Sequence, residues 1–195
     1  CYQDAVHRIH GLETGLSSDP PMNWRLSSLD RITLISSSDS HSPYPTRMGR
    51  EATVFDLDKP SYHSLVEAVR EKDPRRILYT IETYPQYGKY HWTGHRRCNV
   101  SMDPSEAMRH RNICPVCGRP LTIGVEQRVE ELADRPPSTT PPGDFPGFKY
   151  LLPLEEVLGK VLGKGSSYVK AVIEQVTAEG EAILVDCDNQ YFWKE

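Results

Sequence analysis

Apolar and polar positions alternate in short bursts rather than long runs. Residues 5–14 (AVHRIHGLET) show a brief alternating stretch, read as a strand ending near Glu13. Asp19 or Ser18 is placed to cap a helix whose first turn holds Pro20 and Pro21. Ile32–Ser36 (ITLIS) has the length and content of a short buried strand. It runs into SSDSHSPYP, a serine- and proline-rich loop. Over residues 60–72, Leu65, Val66 and Val69 form an apolar stripe at helical spacing. Strand, loop and helix in this rhythm predict α/β architecture. Residues 77–93 are rich in tyrosine and β-formers, with Pro85 and Gly88 between them, and predict a β-hairpin or two short strands. A short helix follows at 126–134, then a segment with five prolines at 136–147 that reads as a linker. Helices are expected at 153–163 and 166–178 and a last strand at 182–186. The expected organisation is therefore a barrel-like α/β region over 1–74, a zinc-binding β-rich module over 75–135, and a linker with a helical C-terminal region over 136–195.

Composition narrows the function classes. The 195 residues are 37% hydrophobic and 26% charged, and no apolar run is long enough to span a bilayer. Net charge is −4, which argues against a generic nucleic-acid coat. Its distribution is uneven: residues 1–74 carry 8 basic and 11 acidic groups, 75–135 carry 10 and 7, and 136–195 carry 5 and 9. The middle segment is the cationic one, and nearly all its positive charges are arginines, which suit bidentate phosphate contacts. Five cysteines and no secretory signal argue against a disulfide framework and for a reducing, cytoplasmic setting.

The cysteines point instead to a metal. His95 and Cys98 are separated by two residues, Cys114 and Cys117 by two, and fifteen residues lie between the pairs. Two such pairs match structural zinc spacing, because a two-residue gap turns both side chains of one tight turn toward one tetrahedral ion. Gly118 follows the second pair, where the turn needs a positive φ. His91 or His110 are alternatives to His95. A redox-active CxxC is the competing reading.

Asp39-Ser40-His41 follows the ITLIS strand. An aspartate and a histidine two apart in extended chain share a face and can hold Mg²⁺, Mn²⁺ or Zn²⁺ together. The same residues also suit an Asx-turn with a surface histidine. Arg47 and Arg50 follow closely, as phosphate clamps or as a solvated pair. Arg96, Arg97, Arg109 and Arg111, with His110, cluster around the cysteine segment and are candidate DNA-backbone contacts, or an ordinary solvated face. Tyr84, Tyr87, Tyr90 and Trp92 suit either stacking on an extruded base or packing in a hairpin. GKVLGKGSSYVK offers lysines near a helix start but no Walker motif.

The stretch SSSDSHSPYPTRMGRE resembles the last metal-ligand motif of PHP-type phosphoesterases. Taken with HGLETGLSSDPPMNWRLSSLD, KYHWTGHRRC, CPVCGRPLTIGVEQRVEELADRP and PLEEVLGKVLGKGSSYVK, it is similar to the endonuclease Q family of DNA repair nucleases, from about residue 5 to about 178. The resemblance implies a metal-dependent cut on the 5′ side of deaminated bases (uracil, hypoxanthine) or abasic sites. It implies that Asp39 and His41 are the last catalytic metal ligands, with Glu13 nearby at a strand end. It further implies that the cysteine segment is a structural zinc domain beside the C-terminal part of a PHP-type, distorted TIM-like barrel. The His-x-His opening of the PHP pattern is absent, since His7 and His10 stand three apart. The chain is expected to be a fragment, with an N-terminal half-barrel supplied by further sequence or by a partner chain. The alternatives are a zinc-stabilised DNA-binding fragment without catalysis, or a PHP phosphoesterase for small phosphate esters.

Overall fold

The computed structural model describes residues 2–43, 47–140 and 143–165. The helix expected at 166–178 and the strand at 182–186 lie outside them. Two parallel strands, β1 (Gly11–Glu13) and β2 (Thr33–Ile35), pair with Glu13 opposite Ile35. A second sheet has the order β3 (Ala52–Phe55), β4 (Ile77–Glu82), β7 (Gly147–Tyr150). In it β4 runs antiparallel to β3 and parallel to β7. Ser36 joins the two sheets: its N–H donates to Thr53 Oγ1 (2.8 Å), and that hydroxyl donates to Ser36 O (2.9 Å). The threonine side chain thus supplies the ladder step that the backbones of β2 and β3 do not make.

The helices sit where their caps predict. In α1 (Pro20–Trp24), Asp19 Oδ1 accepts from Met22 N at 2.9 Å, and prolines fill the first turn, where their missing N–H costs nothing. In α2 (Tyr62–Glu71), Ser61 and Ser64 form a reciprocal capping box, and Lys72 ends the helix at φ 53°. Its buried face carries the fully buried Ala68 and lies on β2, where Thr33 Oγ1 donates to Val69 O at 2.6 Å.

Three expectations change or narrow. Gln3–Arg8 forms a 3₁₀ turn, and only Gly11–Glu13 is extended. Residues 77–93 follow the alternative of separate short strands rather than a hairpin: β4 is the central strand of a three-stranded sheet, and Pro85–Tyr87 leave it in a 3₁₀ turn. β4 and β7 belong to one sheet with β3, so strand pairing crosses both the 74/75 and the 135/136 boundaries.

The cysteine segment is built on a small antiparallel pair, β5 (Thr93–His95) and β6 (Val100–Met102), followed by α3 (Pro104–Arg109) and α4 (Val125–Leu132). Its core is Met102, Ala107, Cys114 and Leu121, with Cys98 and Val100 packed against it. Gln127, 1% exposed, links the parts: it accepts from Thr93 Oγ1 (2.7 Å) and donates to Asn112 Oδ1 (3.1 Å). On its other side α4 is clamped to α1. Arg25 holds Glu130 through two bonds of 3.0 and 2.9 Å, Arg135 holds Asp30, and the backbone N–H groups of Asp134 and Arg135 both donate to Arg25 O. A last helix, α5 (Leu154–Leu162), follows β7. Among the described residues no helix is long and apolar enough to cross a membrane.

Candidate functional site

The β5–β6 turn forms the first knuckle of a metal centre. His95 ends β5, Arg96–Cys98 make a 3₁₀ turn, and Asn99 follows at φ 52°. The second knuckle repeats this plan. Gly118 N donates to Cys114 O (2.9 Å), Cys114 N to Arg119 O (2.8 Å), and Gly118 takes φ 69°. Each knuckle therefore turns left-handed at the residue right after its second ligand, a position that glycine and asparagine tolerate best. A two-way backbone bond between Gly94 and Thr122 brings the knuckles together. Gly94 is required there, because a Cβ would stand 2.3 Å from Val100 O.

The donor atoms of His95, Cys98, Cys114 and Cys117 all lie within 4.8 Å of one another. Thiolates about 2.3 Å from one tetrahedral ion stand roughly 3.8 Å apart, so the cluster fits a metal after a small contraction. His95 is the nitrogen donor, with Nδ1 3.3 Å from Cys117 Sγ. His91 is buried elsewhere, 3.4 Å from Ser17 O, and His110 caps α3 at the surface. Burial lifts the Cys114 thiol, but the backbone N–H groups of Cys117 and Val116 and the His95 ring outweigh it and lower its pKa to about 6. Burial, then hydrogen bonds with Cys117 and Cys114, push Cys98 up to about 11. Cys114 therefore ionises before Cys98.

The second group of candidates gathers at the C-terminal ends of β1 and β2, the end where parallel α/β sheets present their chemistry. Glu13 closes β1 and is exposed, and Ser37 Oγ donates to its Oε1. Asp39 takes φ 44°, and its Oδ2 lies 3.6 Å from His41 Nε2. Both side chains are more than 85% exposed. Two ligands about 2.1 Å from one tetrahedral ion stand roughly 3.4 Å apart, so this pair fits a shared cation. Arg47 is exposed. Arg50 is not a free clamp, because its Nε donates to the buried Glu51 at 2.8 Å and its side chain is 11% exposed.

Arg96, Arg97, Arg109 and Arg111 all lie on the exposed surface of the metal module, and Arg119 joins them. The Ser105 hydroxyl, then the Glu106 backbone N–H and, least of all, nearby Arg109 lower the Asp103 carboxyl. The aromatic residues divide. Tyr84 stacks on Tyr150 at 4.4 Å within the fold, whereas Tyr87, Tyr90 and Trp92 are exposed. Lys160 lies over the Tyr87 ring and Lys89 over Tyr90.

A buried polar group under the Asp39 loop was not expected from sequence. Glu82, fully buried at the end of β4, accepts from Thr14 Oγ1 (2.9 Å) and Ser36 Oγ (3.1 Å). The next residue, Thr83, donates to Glu51 Oε1 at 2.8 Å. Burial outweighs the hydroxyls around Glu82 and raises its pKa to about 7. The available signal was a lone acid ending the β-forming run ILYTIE.

No protein-family model matches the sequence. Among solved structures, the lesion-specific endonuclease PfuEndoQ from Pyrococcus furiosus superposes with a TM-score of 0.75 and 33% identity, over 92% of this chain and 45% of that one. The chain is a relative of endonuclease Q. A complex of endonuclease Q with a 27-mer duplex carrying an abasic lesion at the active site matches with a TM-score of 0.78, again at 33% identity, over 92% of this chain and 46% of that one. Two curated relatives are the uncharacterized protein MJ0043 of Methanocaldococcus jannaschii and the uncharacterized protein YqxK of Bacillus subtilis. The first is 31% identical over 83% of this chain and 20% of its own length. The second is 29% identical over 77% of this chain and 37% of its own length. The chain thus spans less than half of each of these proteins, endonuclease Q included.

Proposed function

We propose that this chain is part of a metal-dependent DNA repair endonuclease that hydrolyses the phosphodiester 5′ of a deaminated base (uracil or hypoxanthine) or an abasic site. The observation that carries the reading is the match to endonuclease Q, a lesion-specific nuclease, over 92% of the chain. Two features of the site support it. Asp39 and His41 stand together in the loop after β2, and Glu13 closes the neighbouring parallel strand β1, the strand ends from which a PHP-type barrel would present its ligands. The arginine-rich face of the metal module lies on the same chain. A divalent Mg²⁺, Mn²⁺ or Zn²⁺ ion there would activate a water and neutralise charge on the scissile phosphate. Asp39 and His41 hold it, Glu13 steadies the loop through Ser37, and Arg47 contacts the phosphate. Arg96, Arg97, Arg109 and Arg111 grip the DNA backbone, which fixes register without reading bases. His95, Cys98, Cys114 and Cys117 hold a structural zinc, and their free thiols suit a reducing cytoplasm.

A second reading is favoured by one observation: among the described residues the Asp39 loop offers one aspartate and one histidine within reach of a common ion. On that reading the chain is a zinc-stabilised DNA-binding piece whose catalytic partner groups lie outside it. A phosphatase for small esters has no comparable support.

The test is cleavage of a labelled duplex with a single uracil or abasic site, in Mg²⁺ or Mn²⁺, by the chain and its Asp39→Ala variant. Cutting 5′ of the lesion that disappears in the variant upholds the nuclease reading for the chain itself. Binding without cutting, equal in both proteins and lost in Cys114→Ser, upholds the second reading. Absence of lesion or DNA preference in either assay overturns both.

A further inference from the structure

The segment that carries Asp39, His41, Arg47 and Arg50 leaves β2 at Ser36 and rejoins the sheet at Glu51, just before β3. Both ends are held by neighbouring residues of one strand. Glu82 takes the Ser36 hydroxyl at the entry and the Thr14 hydroxyl beyond Glu13. Thr83 takes Glu51 at the exit, and Glu51 takes Arg50. Thr14, Ser36, Glu51, Glu82 and Thr83 are 0–7% exposed. We propose that the Glu82–Thr83 pair is a positioning element, which pins both feet of this segment and so sets the place from which Asp39 and His41 are presented.

The energetics of the cluster argue against plain packing. Glu51 Oε2 is buried with no hydrogen-bond partner, and an unsatisfied buried polar atom costs stability that an apolar residue of similar size would not. What the two acids supply is direction. One carboxylate oxygen collects hydroxyls from the ends of β1 and β2, which a leucine could not do. Such partners of ligand-bearing segments tune metal affinity without touching the ion. The assignment of a metal role rests on the proposed function above, whereas the pinning itself does not.

The experiment compares Glu82→Gln and Thr83→Ser, which keep the acceptor and the hydroxyl, with Glu82→Ala and Thr83→Val, which remove them. Hydrogen exchange is followed over residues 36–43 and 47–53, with peptides from 93–122 as internal reference. Mn²⁺ is then titrated while the His41 ring signals are watched for paramagnetic broadening. The Gln and Ser variants should bind Mn²⁺ as the wild type does and exchange no faster than it at the two feet. The Ala and Val variants should exchange at least about tenfold faster at the two feet, and bind Mn²⁺ roughly 10–100-fold more weakly, with 93–122 unchanged. Should Glu82→Ala fail to fold, the near-isosteric Thr83→Val carries the test. Unchanged exchange at 36–43 and 47–53 in the folded variants overturns the positioning role. Faster exchange with no Mn²⁺ effect at His41 in any protein, the wild type included, upholds the pinning and sinks the metal reading instead.

Discussion

Replacing Glu82 with glutamine should change stability in a way that depends on pH. A fully buried carboxyl whose pKa rises from an ordinary 4.5 to about 7 prefers to be neutral in the folded chain. Below pH 4.5 both states are protonated and the group costs nothing. As pH climbs, the unfolded chain ionises first, and folding must take up a proton or bury the charge. Above pH 7 the full penalty is present, about 3 kcal/mol at 1.36 kcal/mol for each tenfold change. At pH 5.5 the same linkage leaves about 1 kcal/mol. The amide carries no charge and escapes all of it. The stability gap between Glu82→Gln and wild type should therefore widen by about 2 kcal/mol from pH 5.5 to 8, or roughly 4–8 °C in Tm for a chain of this size. The assay is thermal or urea unfolding of both proteins across that range with zinc in excess. A constant offset from altered hydrogen bonding does not matter, since the slope carries the reasoning. A gap that stays flat, or narrows as pH rises, would refute a buried neutral Glu82.

Other outcomes follow from single contacts. Gly94→Ala would drive a Cβ to 2.3 Å from Val100 O, so it should cost at least about 1–3 kcal/mol and lower zinc content measured after dialysis. Glu130→Ala strips the bidentate partner from Arg25, which is 7% exposed, and should cost about 1–3 kcal/mol. Arg128→Ala, at an exposed pair with Glu131, should fall within about 0.5 kcal/mol of wild type, and urea melts distinguish the two. Alanine at Arg96, Arg97 or Arg111 should each weaken lesion and undamaged duplexes alike and reduce the salt slope of binding by about 1. Chelation, or Cys114→Ser, should speed exchange across residues 93–122 far more than across β3 and β4, because two of the four donors also belong to that module's small core.

Local chemistry was the part of the molecule most legible in its sequence. The two ligand pairs, the positive φ at Gly118, the Asp19 cap with Pro20 and Pro21, and the start of α2 at Ser61 each depend on residues within a few positions of one another. Long-range pairing was much less visible. ATVF at 52–55 and GFKY at 147–150 are four-residue strands, too short for a period to stand out, and they become strands only by meeting β4. The tyrosine-rich run reads as a hairpin or as two short strands alike, because its true partners are distant in the chain. For the same reason the Glu82 cluster was invisible. Thr14, Ser36 and Glu82 come from three separate strand ends, and no spacing links them. The sequence allows Arg50 as a phosphate clamp or a solvated residue, and neither anticipates its bond to Glu51, since nothing beside Glu51 signals that it is buried.

The parallel pairing of β4 with β7 has a consequence for how the chain is made. Tyr150 must lie beside Glu82, yet it is synthesised roughly 70 residues later, which at 5–20 residues per second is about 3–14 seconds. During that interval one edge of β4 has no partner. The cysteine module, whose contacts run between residues 93 and 127, emerges complete within it. Zinc capture can therefore precede closure of the sheet, while the open edge of β4 is still a template for aggregation.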